Sequence, residues 1–235
     1  MNRKPFRFKQ FEIFQDKTAM KVGTDGVLLG AWATLQMGEN ILDVGTGTGL
    51  ISLMLAQRFP NAKLDAIEID ENAFIQAKEN FDHADFADRL TIFNSSFQDY
   101  FANKKYDLIV SNPPFFVVND TVNFDARKQA RQQETLTFEE LLTKTAELLH
   151  KDGLASFIIP YDQMIDFCAI ASQNGLKLTK TLYVKGNSSA AIKRVLLEFS
   201  FQEKKMEEKE LIIEIDRHQY TEDYIQLTKD FYLKM

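Results

Sequence analysis

The chain of 235 residues carries a single cysteine, Cys168, so an internal disulfide is excluded. Its apolar neighbourhood, Ile165 to Ala171, suits a small buried hydrophobe better than a nucleophile. Histidine is nearly as scarce. His83, His150 and His218 stand alone, without thiol or carboxylate partners at ligand spacing, which argues against a metal site. No run of about 18 uncharged apolar residues occurs, and the opening Met1-Asn2-Arg3-Lys4-Pro5 lacks the apolar core of a signal peptide. A cytoplasmic location without a membrane partner is therefore expected. An excess of positive charge is missing too: the net charge is −6, against the habit of a general nucleic-acid coating protein. A local basic face is still allowed, because Met1 to Lys21 holds six cations against Glu12 and Asp16.

What is present begins with Phe6, Phe8, Phe11, Ile13 and Phe14 interleaved with charge, a pattern of one or two short strands or an irregular cover over a core. Met20 to Trp32 follows, where Gly23 permits a tight turn before an apolar helix starting near Val27. Thr24 and Asp25 either cap that helix or hold the charged tail of a small molecule. Residues 1–38 are expected to form this cover and helix.

Glu39 to Val44 reads as a strand running into Gly45-Thr46-Gly47-Thr48-Gly49 and a helix from Leu50 to Phe59. Glycines let a ligand approach the backbone, and the helix start presents free N–H groups. The spacing is Gly-x-Gly-x-Gly rather than the dinucleotide Gly-x-Gly-x-x-Gly, and no phosphate-loop lysine accompanies it. A second strand, Lys63 to Asp70, brings Glu68 to its end, where a carboxylate can accept both hydroxyls of a ribose, while Asp70 can cap the helix Glu71 to Phe81. Asp88 to Asn94 is the third strand. Ser96 and the Phe97 N–H at its exit either meet an adenine edge or only cap a helix.

The fourth strand, Tyr106 to Val110, closes in Ser111-Asn112-Pro113-Pro114-Phe115-Phe116. Adjacent prolines remove two backbone donors and hold Asn112 extended at the carboxyl end of its strand, where open α/β sheets bind ligands. The Asn112 amide oxygen and the Pro113 carbonyl make paired acceptors suited to a planar amino group, and Phe115 can stack on the ring that carries it. Between Val117 and Thr135 the residues turn polar, with Arg127, Lys128 and Arg131 on either a solvated face or a phosphate-facing loop. Phe138 to His150 has helical spacing ended by Lys151-Asp152-Gly153. Leu154 to Ile159 is a strand, Asp162 to Gln173 a helix, and Leu176 to Val184 with Val195 to Phe201 an antiparallel pair at the sheet edge. Glu203 to Glu210 reads as an exposed linker before a short strand and helix in a C-terminal extension, 203–235. Alternating strands and helices predict an α/β doubly wound, Rossmann-like fold over 39–202.

Taken in order, Asp43 to Gly49, Ile67-Glu68-Ile69-Asp70 and Asn112-Pro113-Pro114-Phe115 resemble the class I S-adenosylmethionine-dependent methyltransferases over nearly all of Lys21 to Phe201. Lys21 to Trp32 is similar to the amino-terminal signature of the bacterial tRNA-valine adenine-37 N6-methyltransferases. The resemblance implies a seven-stranded, mostly parallel sheet with an antiparallel edge strand, and S-adenosylmethionine as donor with S-adenosylhomocysteine as product and no metal. It puts Asp43, Gly45, Gly47 and Gly49 around the methionine part, Glu68 on the ribose, Ser96 and Phe97 at the adenine, and Lys21 and Thr24 in the donor set, Thr24 near the carboxylate. Ser96 departs from the aspartate many relatives carry, which weakens that adenine contact.

It further implies catalysis by Asn112, Pro113 and Phe115, with Asn112 also touching the donor, on an adenine of tRNA bound by a monomer. Pro114, Arg127, Arg131, Lys193, Arg194 and the amino-terminal cations are the candidates for contact with RNA. Rival substrates for the same tetrad are the glutamine amide of a release factor, whose enzymes carry a larger amino-terminal helical domain, and adenine in rRNA or DNA. A nicotinamide oxidoreductase is disfavoured by the glycine spacing.

Overall fold

The computed structural model describes residues 4–18, 21–114 and 136–234. The amino-terminal segment folds back through two short strands, β1 (Phe6–Arg7) and β2 (Glu12–Ile13), which are paired antiparallel and bury Phe8, Phe11 and Ile13. Then come α1 (Thr24–Trp32), β3 (Asn40–Val44), α2 (Leu50–Arg58), β4 (Lys63–Glu68), α3 (Glu71–Asp82), β5 (Leu90–Asn94) and β6 (Tyr106–Ser111). From residue 136 onward follow α4 (Phe138–Leu148), β7 (Leu149–Pro160), α5 (Met164–Gln173), β8 (Lys177–Lys185), β9 (Arg194–Ser200), β10 (Glu207–Ile212), the small pair β11 (Glu214–Asp216) and β12 (Gln219–Tyr220), and α6 (Glu222–Thr228).

Eight strands form the main sheet in the order β10-β8-β9-β7-β6-β3-β4-β5. The seven expected strands are β3 to β9, and β10 extends them by pairing parallel with β8. The antiparallel strand, β9, lies between β7 and β8 instead of at the edge. The central strands are buried on both faces, which is why Ile41 to Val44 and Leu108 to Ser111 read as unbroken apolar runs with single polar residues. On one face Leu28, Leu29 and Trp32 of α1 and Ile51 and Leu55 of α2 pack on Ile41, Leu64, Leu108 and Val110. On the other, Leu141 and Leu142 of α4 and Phe167 of α5 pack on Leu42, Ile109 and Phe157.

Close approach of α1 to α2 needs the absence of a side chain at Gly30, where a Cβ would lie 2.8 Å from Met54 Sδ. Arg58 at the end of α2 then donates to the carbonyls of Gly30 (2.9 Å) and Ala33 (2.7 Å), satisfying the carboxyl end of α1. Three local readings are corrected. Helix α1 starts at Thr24 with Gly23 as its N-cap, and neither Thr24 nor Asp25 supplies a capping bond. Lys151-Asp152-Gly153 lies inside β7 as an irregularity, with Tyr106 opposite Leu149 and Leu108 opposite Leu154. The second half of the charged stretch read as a linker, Glu207 to Glu210, lies in β10, an edge strand whose exposed Glu and Lys residues are the usual guard against further pairing.

Candidate active site at the carboxyl rim of the sheet

Register brings the strand ends level. Val44 lies opposite both Ile67 and Ser111, and Glu68 opposite Asn94, so the residues after β3, β4, β5 and β6 emerge on one rim. Ser111 Oγ donates to the Val44 carbonyl (2.8 Å) and locks β6 to β3 immediately before Asn112.

The glycine loop leaves β3 with positive φ at Gly45 (71°), Gly47 (60°) and Gly49 (83°). A Cβ at Gly45 or Gly47 would project into open space, whereas at Gly49 it would lie 2.5 Å from the Phe81 ring. The first two glycines thus keep one side of the loop open, and the third lets the loop settle onto α3. Glu68, almost wholly buried, braces it: Gly47 N–H donates to Oε2 (2.8 Å) and Asp70 N–H to Oε1 (2.9 Å). Asp70 caps α3 by accepting from Ala73 N–H (2.8 Å), as its position predicted. Burial holds the Glu68 carboxyl above its ordinary range, with the backbone donors opposing.

Asp43 is fully buried beneath the loop. Its Oδ2 accepts from Thr46 Oγ1 (2.6 Å), Ser52 Oγ (2.7 Å) and Ser52 N–H (3.2 Å), joining the loop to the first turn of α2. Oδ1 has no partner among the described residues, and burial pushes the carboxyl up to about 6. Ser96 at the exit of β5 donates to Asp99 Oδ2 (2.7 Å) and accepts from Asp99 N–H (3.1 Å), the local capping arrangement weighed against an adenine contact. Phe97 is buried in the core beside it, and Ile69 stands 54% exposed at the neighbouring strand end.

Asn112 is half-buried at the tip of β6, with Pro113 buried and Pro114 exposed after it. The Asn112 Oδ1 atom is buried without a hydrogen-bond partner among the described residues. An unpaired buried acceptor costs about 1–3 kcal/mol, so a donor reaching this strand tip would find an acceptor that no described residue engages. Phe115, Arg127 and Arg131 lie outside the described residues.

Lys21 is exposed and donates to the carbonyls of Gln15 and Thr18, and Val22 N–H donates to Gln15 Oε1 (2.7 Å). Thr24 is exposed at the first position of α1. Arg194, at the start of β9, pairs through Nε with Asp25 (2.8 Å), and Lys193 beside it is exposed. Three of the amino-terminal cations are engaged internally: Arg7 with Glu12 (2.8 Å), Lys17 with Glu79 (2.9 Å), and Lys9 with the Lys229 carbonyl (2.6 Å). The rim therefore gathers Asp43, the three glycines, Glu68, Ser96, Phe97 and Asn112, with Lys193 and Arg194 farther along it.

Sequence reasoning missed Asn80. Its Nδ2 donates to the carbonyls of Thr48 (2.8 Å) and Phe14 (2.9 Å), and its Oδ1 accepts from Phe14 N–H (2.9 Å), so one amide ties the amino-terminal segment to the glycine loop. Gln76, one turn earlier, accepts from Lys17 N–H (2.9 Å). The signal was there: both polar residues fall on the stripe of α3 defined by Ala73, Ala77 and Phe81. Among the described residues no group of His, Cys, Asp or Glu could hold a metal ion, and no helix is long and apolar enough to cross a membrane.

A doubly wound sheet with this loop, a buried acid at the next strand end and Asn-Pro-Pro at the tip of β6 defines a methyltransferase, and the solved structures it resembles share that fold. A protein from Agrobacterium tumefaciens described as a predicted O-methyltransferase superposes with a TM-score of 0.69 at 16% identity, covering 88% of this chain and 96% of that one. A glycopeptide N-methyltransferase solved with S-adenosylmethionine gives 0.56 at 11% identity, covering 76% and 95%. The methyltransferase small domain model matches residues 18–164. Relatives named tRNA1(Val) (adenine(37)-N6)-methyltransferase align with both chains almost end to end. The protein of Christiangramia forsetii is 46% identical over 240 residues, covering 100% of each chain. That of Flavobacterium johnsoniae is 49% identical over 234 residues, covering 98% of this chain and 100% of its own. The chain belongs to the tRNA1(Val) (adenine(37)-N6)-methyltransferase family.

Proposed function

We propose that this enzyme transfers a methyl group from S-adenosylmethionine to N6 of adenosine 37 in a valine tRNA, the substrate named for its relatives. The observation that carries the chemistry is the buried Oδ1 of Asn112, without a hydrogen-bond partner among the described residues.

The rim fits the donor. The open sides of Gly45 and Gly47 leave room for a ligand against the backbone, and Gly49 seats the loop. Glu68 uses only part of its acceptor capacity on Gly47 and Asp70, so its remaining lone pairs can take ribose hydroxyls. Asp43 acts through the loop that it anchors, Ser96, Phe97 and Ile69 border the place for the donor's adenine, Thr24 stands by its carboxylate, and Lys21 completes the donor set. When bound, S-adenosylmethionine supplies an electrophilic methyl on a sulfonium.

The exocyclic nitrogen of adenine is a poor nucleophile because its lone pair is delocalised into the ring. Asn112 Oδ1 and the Pro113 carbonyl accept its two N–H bonds, favour a pyramidal nitrogen and aim the lone pair for in-line attack. No base is required beforehand, since the proton becomes acidic only after the methyl is attached. The target base leaves its stack to reach the tip of β6, and Phe115 supplies a replacement stacking surface.

The test is methyl transfer from labelled donor to total tRNA, total rRNA, DNA and release factor, followed by nucleoside analysis. The expected product is N6-methyladenosine at position 37 of valine tRNA. Label found chiefly in protein would replace this reading with glutamine methylation.

A further inference from the structure

The rim continues past Asn112 across β7 and β9, and a surface there has no part in the chemistry described so far. β7 outlasts β6: Ser111 is opposite Phe157, and β7 runs on to Pro160, where it pairs with Arg194. Tyr161 comes next and is 42% exposed. Its N–H donates to the Lys193 carbonyl (3.1 Å), and Lys193 N–H donates to the Val184 carbonyl (3.2 Å), so this aromatic and this cation share one hydrogen-bonded corner. The Tyr161 and Tyr183 rings meet in a T-shaped pair, centroids 6.0 Å apart at 77°, which restricts the swing of Tyr161 while it stays partly exposed. Arg194 is turned toward Asp25 (2.8 Å), while Lys193 is exposed.

We propose that Tyr161 and Lys193 bind the RNA next to the target: Tyr161 stacks on a base flanking the methylated adenosine, and Lys193 meets a neighbouring phosphate. This deepens, and rests on, the reading of the enzyme as an RNA adenine methyltransferase. Single-stranded RNA is recognised by stacking its unpaired bases on aromatic side chains while cations follow the backbone, and this corner offers one of each. Position suits the role. β7 is one strand step from β6 and β9 two, at about 4.8 Å per step, so the ring stands within reach of nucleotides flanking a base held at Asn112. Extruding the target from its loop separates it from its neighbours, and a fixed ring beside the pocket gives a neighbour a new stacking partner.

The experiment uses the full chain and a fluorescently labelled anticodon stem-loop RNA, with 2-aminopurine replacing a nucleotide that flanks the target adenosine. Tyr161→Ala is expected to weaken RNA binding about tenfold and to abolish the quenching of 2-aminopurine seen with the unmodified enzyme, while Tyr161→Phe retains both within about twofold. Affinity for S-adenosylhomocysteine and the melting temperature should stay unchanged in both variants. Lys193→Ala is expected to weaken binding and flatten its salt dependence without touching the quenching. Unaltered RNA binding and quenching in Tyr161→Ala, with the unmodified enzyme still methylating the RNA, would overturn this proposal alone. Failure of the unmodified enzyme to bind the stem-loop would overturn it together with the substrate reading.

Discussion

Along β3, β4 and β5 the rim is largely self-sufficient. Glu68 accepts from Gly47 and Asp70, Asp43 accepts from Thr46 and Ser52, and Asn80 fastens the Thr48 carbonyl, so the protein's own hydrogen bonds hold the shape of the glycine loop. At β6 the construction differs: Ser111 pins the strand to Val44, and the next residue presents an acceptor that no described residue engages. The contrast separates two tasks. A half that holds a donor molecule gains from a frame already tied together by hydrogen bonds, because little ordering remains to be done on binding. A half that must reshape an amino group needs acceptor capacity that the protein itself leaves uncommitted.

The sharpest way to break this contrast is Asn112→Ala. It should lower methyl transfer by about 10²–10³-fold while leaving donor affinity, measured by calorimetry, nearly unchanged. Equal loss of both would mean that the two halves are one unit. Gly49→Ala and Gly47→Ala probe the frame from its two sides. The former forces a side chain into Phe81 at positive φ and should cost roughly 3 kcal/mol or more in denaturant unfolding. The latter should cost about 1–2 kcal/mol, with its main effect on donor affinity.

Asp43 gives the frame a pH signature. Its carboxyl is raised from 3.8 to about 6 in the folded protein, so the native state holds the proton more tightly than the unfolded chain does. The stability from this group is fully present below about pH 4 and is lost as pH rises through about 6, up to about 3 kcal/mol. Comparing unfolding of the unmodified protein and Asp43→Asn across that window should show their difference fall as pH rises, and a constant difference would remove Asp43 as the source. The smallest effect belongs to Asp25→Asn. It severs the ion pair by which α1 reaches β9, and for a partly exposed pair the loss should be under about 1 kcal/mol.

The glycine loop, Glu68, the capping role of Asp70 and the tip of β6 were legible because each combines a strand pattern with a residue type that only a few local geometries accommodate. The eighth strand was not. Glu207 to Glu210 is charged because it forms an exposed edge, and an edge strand has the composition of a linker until its partner β8 is known. Lys151-Asp152-Gly153 carried a helix-stop signal, yet the helix ends earlier and the glycine serves close packing in β7, where a Cβ would lie 3.0 Å from the Tyr106 carbonyl oxygen. Thr24 and Asp25 looked like caps on local grounds. The partner that claims Asp25 is 169 residues away, beyond the reach of any local pattern.

The shared amide of Asn80 couples events that sequence distance would keep apart. Because the same side chain grips Phe14 and Thr48, docking of the chain's opening stretch and closure of the glycine turn are linked equilibria. A molecule that quiets the turn must also slow hydrogen exchange near Phe14, and clipping that stretch would loosen a binding cradle it does not line.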